Sequence, residues 1–431
     1  MAVPKRKVSK MKRRQRQAAN RYEGVQASFC KECGKPVAPH SVCTSCGMYK
    51  GRQVLTVAEY SFHFLLKTKP TGVVSMRIAV DAMGGDYAPA VVVEAVADAL
   101  RMFPDVEILL VGHLEKLAYY LQKEHLKEGP RLKLVHAEEV VEMGEPSTTS
   151  IRAKKHSSIT VCATLAAEGK ADAVISAGHT GAAVAASKVK MRILKGVDRP
   201  AIATFMPAVG GRFILVDAGA NTDCTPLNLA QFAIFGEVYA QMFQNIEKPR
   251  IGLISVGGED IKGNELTKEA FKILSNMPIN FVGNVEGHDM FFHSADVVVC
   301  DGFSGNLVLK TAESIASAIR QWLKESIMKN AIRKTGALLA QQAFADVKAI
   351  SNFEEYGGAP LLGLNGVCII GHGASTPKAV RNAIKVANDF AKRGLPSRIS
   401  TRIAECGIEF APPPHHKPED VQQQPPLTTH L

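Results

Sequence analysis

Long apolar runs are missing from this sequence. Nowhere do 18 consecutive residues stay apolar, so no membrane-crossing helix is expected. The basic N-terminus is followed by no apolar stretch with a small-residue cleavage site, which excludes a secretory signal and makes a cytoplasmic product the expectation. Cysteine is scarce, nine residues in 431, and five of them (Cys162, Cys224, Cys300, Cys368, Cys406) are scattered through apolar stretches. That distribution excludes a disulfide framework and reads as small, reduced, buried thiols. Several nucleotide and nucleophile signatures are also lacking. There is no G-x-x-x-x-G-K-[ST], the first strand is not followed by G-x-G-x-x-G, and no G-x-S-x-G occurs. A P-loop enzyme, a dinucleotide-dependent dehydrogenase and a serine hydrolase are thereby disfavoured.

What is present is unevenly spread. Residues 1–52 carry 13 Lys/Arg against two Asp/Glu, so the whole net charge of +11 lies there, and the remainder is balanced. A basic charge so concentrated points to a polyanion such as nucleic acid, whereas the neutral remainder points to none. The arm Ala2–Arg21 holds nine of those cations and too few apolar residues to fold alone, so it is expected to order on phosphates. Behind it come Cys30-Lys-Glu-Cys33 and Cys43-Thr-Ser-Cys46. Two such knuckles supply four thiolates for a structural zinc ion, and metal must supply the folding energy of so short a segment, on the order of 10 kcal/mol.

The wording M-A-V-P-K-R-K-V-S-K, with knuckles ending in C-T-S-C-G-M-Y-K-G-R, resembles bacterial large-subunit ribosomal protein thirty-two. The resemblance covers residues 1–52 and implies a basic arm in ribosomal RNA beside a zinc ribbon. Residues 53–75 fit neither neighbour and read as a linker or a gene-junction segment, in which case Met76 would be the start of a separate enzyme and the N-terminal part would have a solely ribosomal role. Residues 411–431 form a Pro/Gln-rich tail expected to be disordered.

Residues 76–410 alternate short β-branched runs with stretches of 3.6-residue periodicity. Strands are predicted at Arg77–Asp81, Glu107–Val111, Leu132–His136, Ala173–Ser176, Phe213–Asp217, Ile251–Ser255, Val297–Cys300 and Val367–Ile370. The fold class is therefore α/β, a doubly wound, mostly parallel sheet sandwiched by helices. Five glycine-bearing loops follow strands: Asp81–Asp86, Ser176–Gly181, Asp217–Asn221, Gly257–Glu265 and Asp301–Asn306. Right-handed crossovers predict that they share one sheet edge and build an anion-binding crevice.

M-R-I-A-V-D-A-M-G-G-D-Y-A-P, then I-S-A-G-H-T-G-A, D-A-G-A-N, V-G-G-E-D-I-K-G-N-E-L-T-K, C-D-G-F-S-G-N-L-V-L-K-T and Y-G-G-A-P-L-L-G, resemble in order the PlsX-type phosphate:acyl-[acyl carrier protein] acyltransferases. The resemblance covers residues 76–395. It implies an isocitrate dehydrogenase/phosphotransacetylase-like fold, a homodimer, and transfer of a fatty acyl group from acyl carrier protein to inorganic phosphate for phospholipid synthesis. A phosphotransacetylase-like use of acyl-coenzyme A is the alternative. His179 stands where that family usually has asparagine, and Ala218 replaces a common valine.

Phosphate can itself attack a thioester, so the reaction calls for anion binding and oxyanion stabilisation, with no catalytic cofactor. Lys262, Asn221, Asn306 and His179 are the catalytic candidates, His179 as a proton donor to the leaving thiolate. Gly84, Gly85, Asp86, Ser176, Gly178, Thr180, Gly181, Arg199, Gly263, Asn264, Gly302, Gly305 and Lys310 are candidates for holding phosphate. Arg152, Lys154 and Lys155 form a basic cluster suited to the acidic acyl carrier protein or to a solvated helix face. The stretch Glu313–Val347 reads as two amphipathic helices packing in the core and a dimer, and the resemblance implies a transient membrane contact at their tip.

The zinc reading makes a direct prediction. Purified chain should carry one zinc ion per polypeptide by elemental analysis, and Cys30→Ser should abolish it.

Overall fold

A computed structural model describes residues 75–410, apart from residue 143 and residues 351–356, together with four two-residue strands between residues 28 and 53. The chain divides into two compact units, Met1–Val73 and Val74–Leu431. In the first, Ser28–Phe29 pairs antiparallel with Pro36–Val37, and Met48–Tyr49 with Arg52–Gln53. The basic arm, the four knuckle cysteines, residues 54–74 of the junction and the C-terminal tail lie outside the described residues.

The second unit is built on one sheet of 11 strands. They are β1 (Met76–Asp81), β2 (Val106–Gly112), β3 (Leu132–His136), β4 (Ala173–Ser176), β5 (Ala201–Ala208), β6 (Gly211–Val216), β7 (Ile251–Ile254), β8 (Phe281–Val285), β9 (Val297–Val299), β10 (Ala359–Leu362) and β11 (Val367–Ile370). Successive residues of β1 enter opposite cores: Ile78 and Val80 pack on one face of the sheet, Ala79 on the other. Burial on both faces explains why these strands read as continuous apolar runs. On one face Phe390 lies 4.5 Å from Phe243 and 5.5 Å from Tyr239, centroid to centroid. Burying each such ring contributes about 2–3 kcal/mol.

The strand order is β8-β7-β9-β6-β5-β10-β11-β4-β1-β2-β3. All neighbours are parallel except β6/β5, β5/β10 and β10/β11. The order and directions repeat about a pseudo-twofold between β5 and β10, matching β6 to β11, β9 to β4, β7 to β1 and β8 to β2, with β3 added at one end. The same ion pair recurs in both halves. Arg77 donates from N (2.8 Å) and Nε (3.2 Å) to Asp172 Oδ2 and from Nη2 to Oδ1 (2.9 Å). Arg250 makes the same three bonds to Asp296 at 2.8, 3.1 and 2.9 Å. Each clamp ties the start of a central strand to the start of its neighbour. The repeat shows in the sequence too, as A-D-A-V-I-S-A-G-H-T-G against A-D-V-V-V-C-D-G-F-S-G.

This arrangement corrects the expectation of a single shared edge. Across the antiparallel centre the two parallel blocks point in opposite directions. The loops after β1, β4 and β11 therefore leave one edge, and those after β6, β7 and β9 leave the other. The eight predicted strands all exist. β5, β8 and β10 escaped prediction: Pro207 interrupts β5, Gly283 breaks β8, and β10 is only four residues long.

The helix Gly302–Met328 is followed by Ala331–Leu339 and Gln341–Ile350. In the 27-residue helix only Gly302 and Gly305 are buried, and Trp322 is 65% exposed. The expectation that this stretch packs in the core is wrong for the single chain, which leaves its apolar stripe uncovered.

The clamps generate a stability prediction. Burial alone would raise the Asp296 carboxyl, but the Arg250 hydrogen bonds and charge, with His293 nearby, outweigh it and hold the group below its ordinary value. A depressed carboxylate contributes stability that is present above its unfolded pKa of about 3.9 and lost as pH falls through the lower folded value. Asp296→Ala should cost about 2–4 kcal/mol at neutral pH and flatten the unfolding curve below about pH 4, read by urea denaturation across pH.

Candidate active site

At the edge where β1, β4 and β11 end, three loops are knitted round one buried carboxylate. Asp81 closes β1 and is 4% exposed. Its Oδ2 accepts from Ser176 Oγ (2.7 Å) and its Oδ1 from Met83 N (3.1 Å). Ser176 Oγ in turn accepts from Gly178 N at 3.2 Å. The β11 loop joins through Asp86 N to Gly373 O (2.8 Å) and Gly371 N to Ser176 O (2.8 Å). Gly84 has to be glycine, because a Cβ there would stand 2.7 Å from Gly178 N and 2.8 Å from Asp81 Oδ2. Burial pushes the Asp81 carboxyl up, and hydrogen bonds from Ser158, Ser176 and the Met83 and Gly84 amides pull it part of the way back.

These loops open into a small, solvent-open hollow, lined by Gly84, Gly85, Ser158, Ser176, Gly178 and His179 among others. Two helices begin at it, Ser158–Ala167 and Thr180–Lys190, so two amino-terminal dipole ends face one space. The helix ends favour an anionic oxygen there, and the Asp81 and Glu142 carboxylates of the same lining oppose one. Among the described residues, no lysine or arginine lines the hollow. A second hollow, between β10–β11 and the helix Leu395–Cys406, is walled by apolar residues, with no charged side chain among the described residues that line it.

His179 is the N-cap of the second of these helices: its Nδ1 accepts from Ala182 N at 3.2 Å. A ring that accepts at Nδ1 is neutral and carries its proton on Nε2. Giving that proton to a thiolate would leave an imidazolate, so the geometry turns His179 from the expected proton donor into a hydrogen-bond donor.

At the opposite edge a second carboxylate has consumed its own loop. Asp217 Oδ1 accepts from the amides of Ile202 (3.0 Å), Gly219 (3.1 Å) and Ala220 (2.9 Å). Its Oδ2 accepts from Asn221 N and Nδ2, both at 2.8 Å. Burial raises this carboxyl as well, and the same amides oppose the rise. Asn221 Nδ2 also reaches Pro200 O (2.7 Å), so this side-chain amide holds the loop and is not free for a substrate oxyanion. Gly302 donates to Asn221 O at 2.7 Å, and Gly305 lies against Asp217; both serve close packing of helix on loop where phosphate binding was expected.

The remaining sequence candidates separate. Arg199 Nη1 donates to Asp223 O (2.7 Å) and anchors that loop. Lys310 pairs with Glu313 one turn on (3.0 Å). Asn264 caps the helix Glu265–Ser275, and Gly263, at φ +113°, makes the turn before it. Lys262 and Asn306 remain exposed at this second edge, Asn306 beside Gly219. Lys154 is taken up by Val140 O (2.7 Å) and Glu145 (2.5 Å), which removes it from the expected cationic cluster and holds the Glu145 carboxyl at about 2. Arg152 and Lys155 stay exposed. The loop His372–Ser375 belongs to the first edge and was missed. Its signals were Gly371 and Gly373 after a strand and the Thr376-Pro377 helix start.

The sequence profile of the family described as "Fatty acid synthesis protein" matches residues 76–398, and that of the "Ribosomal L32p protein family" matches residues 2–57. A phosphate acyltransferase from Geobacter sulfurreducens is 47% identical over 328 residues, covering 76% of this chain and 94% of its own. One from Thermoanaerobacterium thermosaccharolyticum is 46% identical over 336 residues, 78% and 99% of the two chains. A phosphotransacetylase from Streptococcus pyogenes shares the fold, with a TM-score of 0.51 at 18% identity over 74% of this chain and 94% of that one.

The packing at the second edge can be tested. A Cβ on Gly305 would overlap the Asp217 carbonyl and lie 2.9 Å from Cys300 Sγ. Gly305→Ala should therefore cost about 3 kcal/mol or more in thermal or urea unfolding, whereas Gly336→Ala, in an exposed helix where a Cβ meets nothing, should cost nothing.

Proposed function

This chain belongs, over residues 76–398, to the fatty acid synthesis protein family, and on that premise we propose that it is a phosphate acyltransferase: it moves a fatty acyl group from acyl carrier protein to inorganic phosphate. The observation that carries the reading is near-full-length identity of about 46% to proteins named phosphate acyltransferase. A phosphate oxygen attacks the thioester carbonyl, a tetrahedral oxyanion forms, and the C–S bond breaks. Acyl phosphate and the carrier thiolate leave, and the thiolate takes its proton from solvent. Helix amino ends and loop amides would neutralise the phosphate and the oxyanion.

Direct attack by phosphate agrees with the state of the described cysteines. Burial pushes Cys224 up to about 12 and Cys368 to about 11, and Cys162 and Cys300 are raised as well. At neutral pH these are thiols, and a thiol is a poor acyl acceptor.

The N-terminal unit we read as a zinc ribbon whose basic arm binds ribosomal RNA. The uncovered apolar stripe of Gly302–Met328 fits burial against a second copy of the chain, with the following helices touching a membrane surface. Among the described residues no helix is long and apolar enough to cross a membrane.

The test is thiol release from a long-chain acyl-[acyl carrier protein]. Release should require inorganic phosphate and no nucleotide, survive Cys224→Ser within about twofold, and exceed release from acyl-coenzyme A. A preference for acyl-coenzyme A would shift the donor, and phosphate-independent release would sink the proposal.

A further inference from the structure

The helix Thr180–Lys190 starts at the hollow and ends in a run of cations. Lys188 and Lys190 close it, and Arg192 and Lys195 follow on the way to β5. All four are exposed, and among the described residues none has an ion pair or a side-chain hydrogen bond. No Asp or Glu occurs between Asp172 and Asp198, and Glu409, packed against Gly196, borders the stretch without pairing with it. The helix dipole accounts for lysines in the last turn, but not for Arg192 and Lys195, which lie beyond it. Elsewhere in this unit arginines hold the fold together: Arg77, Arg199, Arg250 and Arg402 each grip a carboxylate or a carbonyl. The stretch is also fixed in place. Arg192 adopts φ +63°, and Asn365 of the β10–β11 turn secures it, donating from N to Arg192 O (3.1 Å) and from Nδ2 to Ile193 O (3.0 Å). Between the two helical lysines Val189 stands 65% exposed.

We propose that this basic surface, Lys188, Lys190, Arg192 and Lys195, is where acyl carrier protein docks. The proposal rests on the acyl-transfer reading, which supplies a carrier-borne thioester as the donor. Charge complementarity identifies the partner: four unpaired cations beside an exposed aliphatic side chain suit an acidic protein surface and draw it in before contact. The place fits as well. An 11-residue helix spans about 16 Å, so the docked protein stands one helix length from the hollow. A carrier holds its thioester at the end of a long, thin prosthetic arm, which bridges such a gap and leaves the bulky protein outside. A lipid surface is anionic too, but binding it in the interface also takes large apolar side chains. This stretch offers Val189 and nothing larger, whereas the exposed Trp322, Leu338 and Leu339 lie on other helices. The cluster first expected to meet the carrier has lost Lys154 to Val140 O and Glu145, and this surface takes over that role.

Charge reversal separates docking from turnover. In the full chain carrying Lys188→Glu and Lys190→Glu together, Kd for apo acyl carrier protein, read by fluorescence anisotropy of the labelled carrier, should rise about tenfold or more. KM for acyl-[acyl carrier protein] should rise in parallel, with kcat within about twofold, KM for phosphate unchanged and Tm within about 3 °C. Added salt should weaken the wild-type complex and barely affect the variant. Lys188→Arg with Lys190→Arg keeps the charge and should hold Kd within about twofold. Lys195→Glu, outside the helix, should raise Kd about threefold and serves if the double variant does not fold. An unchanged carrier Kd in the folded variants overturns the proposal. So does a variant that loses binding to phosphatidylglycerol vesicles while its carrier Kd stands, which makes the surface a lipid contact. Anisotropy is independent of turnover: carrier binding that charge reversal weakens upholds the surface even if the wild-type chain transfers no acyl group. Transfer by the double variant at the wild-type KM refutes the surface and leaves the acyl-transfer reading standing.

Discussion

Two buried carboxylates organise this enzyme unit, one at each edge of its sheet. A carboxylate in the interior is costly unless its oxygens are satisfied, and in both places the protein satisfies them with amides of the turn that follows the strand together with a donor from a neighbouring strand. At Asp217 five donors close on the two oxygens, and the glycine-rich turn becomes a cage round its own side chain. At Asp81 fewer donors arrive and a hollow remains beside it. Two strand ends at opposite edges have thus reached different outcomes, one filled from within and one open. The open edge is where helix dipoles and unclaimed amides are left over for a ligand.

Much of this architecture could be read from the residues. Continuous β-branched runs such as Ile78–Val80 and Val297–Val299 name buried parallel strands, and the caps at Asn264, Asp301 and Thr376 mark helix starts. What could not be read was direction. Nothing in a strand's composition says which way its neighbour runs, so the reversal at β5 and β10 stayed hidden and five loops were assigned to one edge. The recurring A-D…G…G wording and the paired arginines are a usable sign of the internal repeat.

The candidate site fared less evenly for a related reason. Asn221, Gly302 and Gly305 have the residue types that bind phosphate, and those same types also build tight turns. Only the tracing of hydrogen bonds shows that their donors and their space are already spent on Asp217. Arg199 and Lys154 likewise look like free cations in the sequence and prove to be anchors. His179 is the converse: an unremarkable histidine by pattern, it acquires a definite chemical identity from the one bond its ring makes.

The twice-used Arg–Asp clamp bears on how such a fold could arise and change. Arg77 with Asp172 and Arg250 with Asp296 hold two copies of one strand arrangement without calling on each other. A gene segment doubled and fused would produce that pattern, and the doubling would have left the ancestor with two interchangeable rims. Thereafter one rim could drift toward a solid joint while its twin kept the opening, so that the molecule carries inside itself a record of the site it gave up.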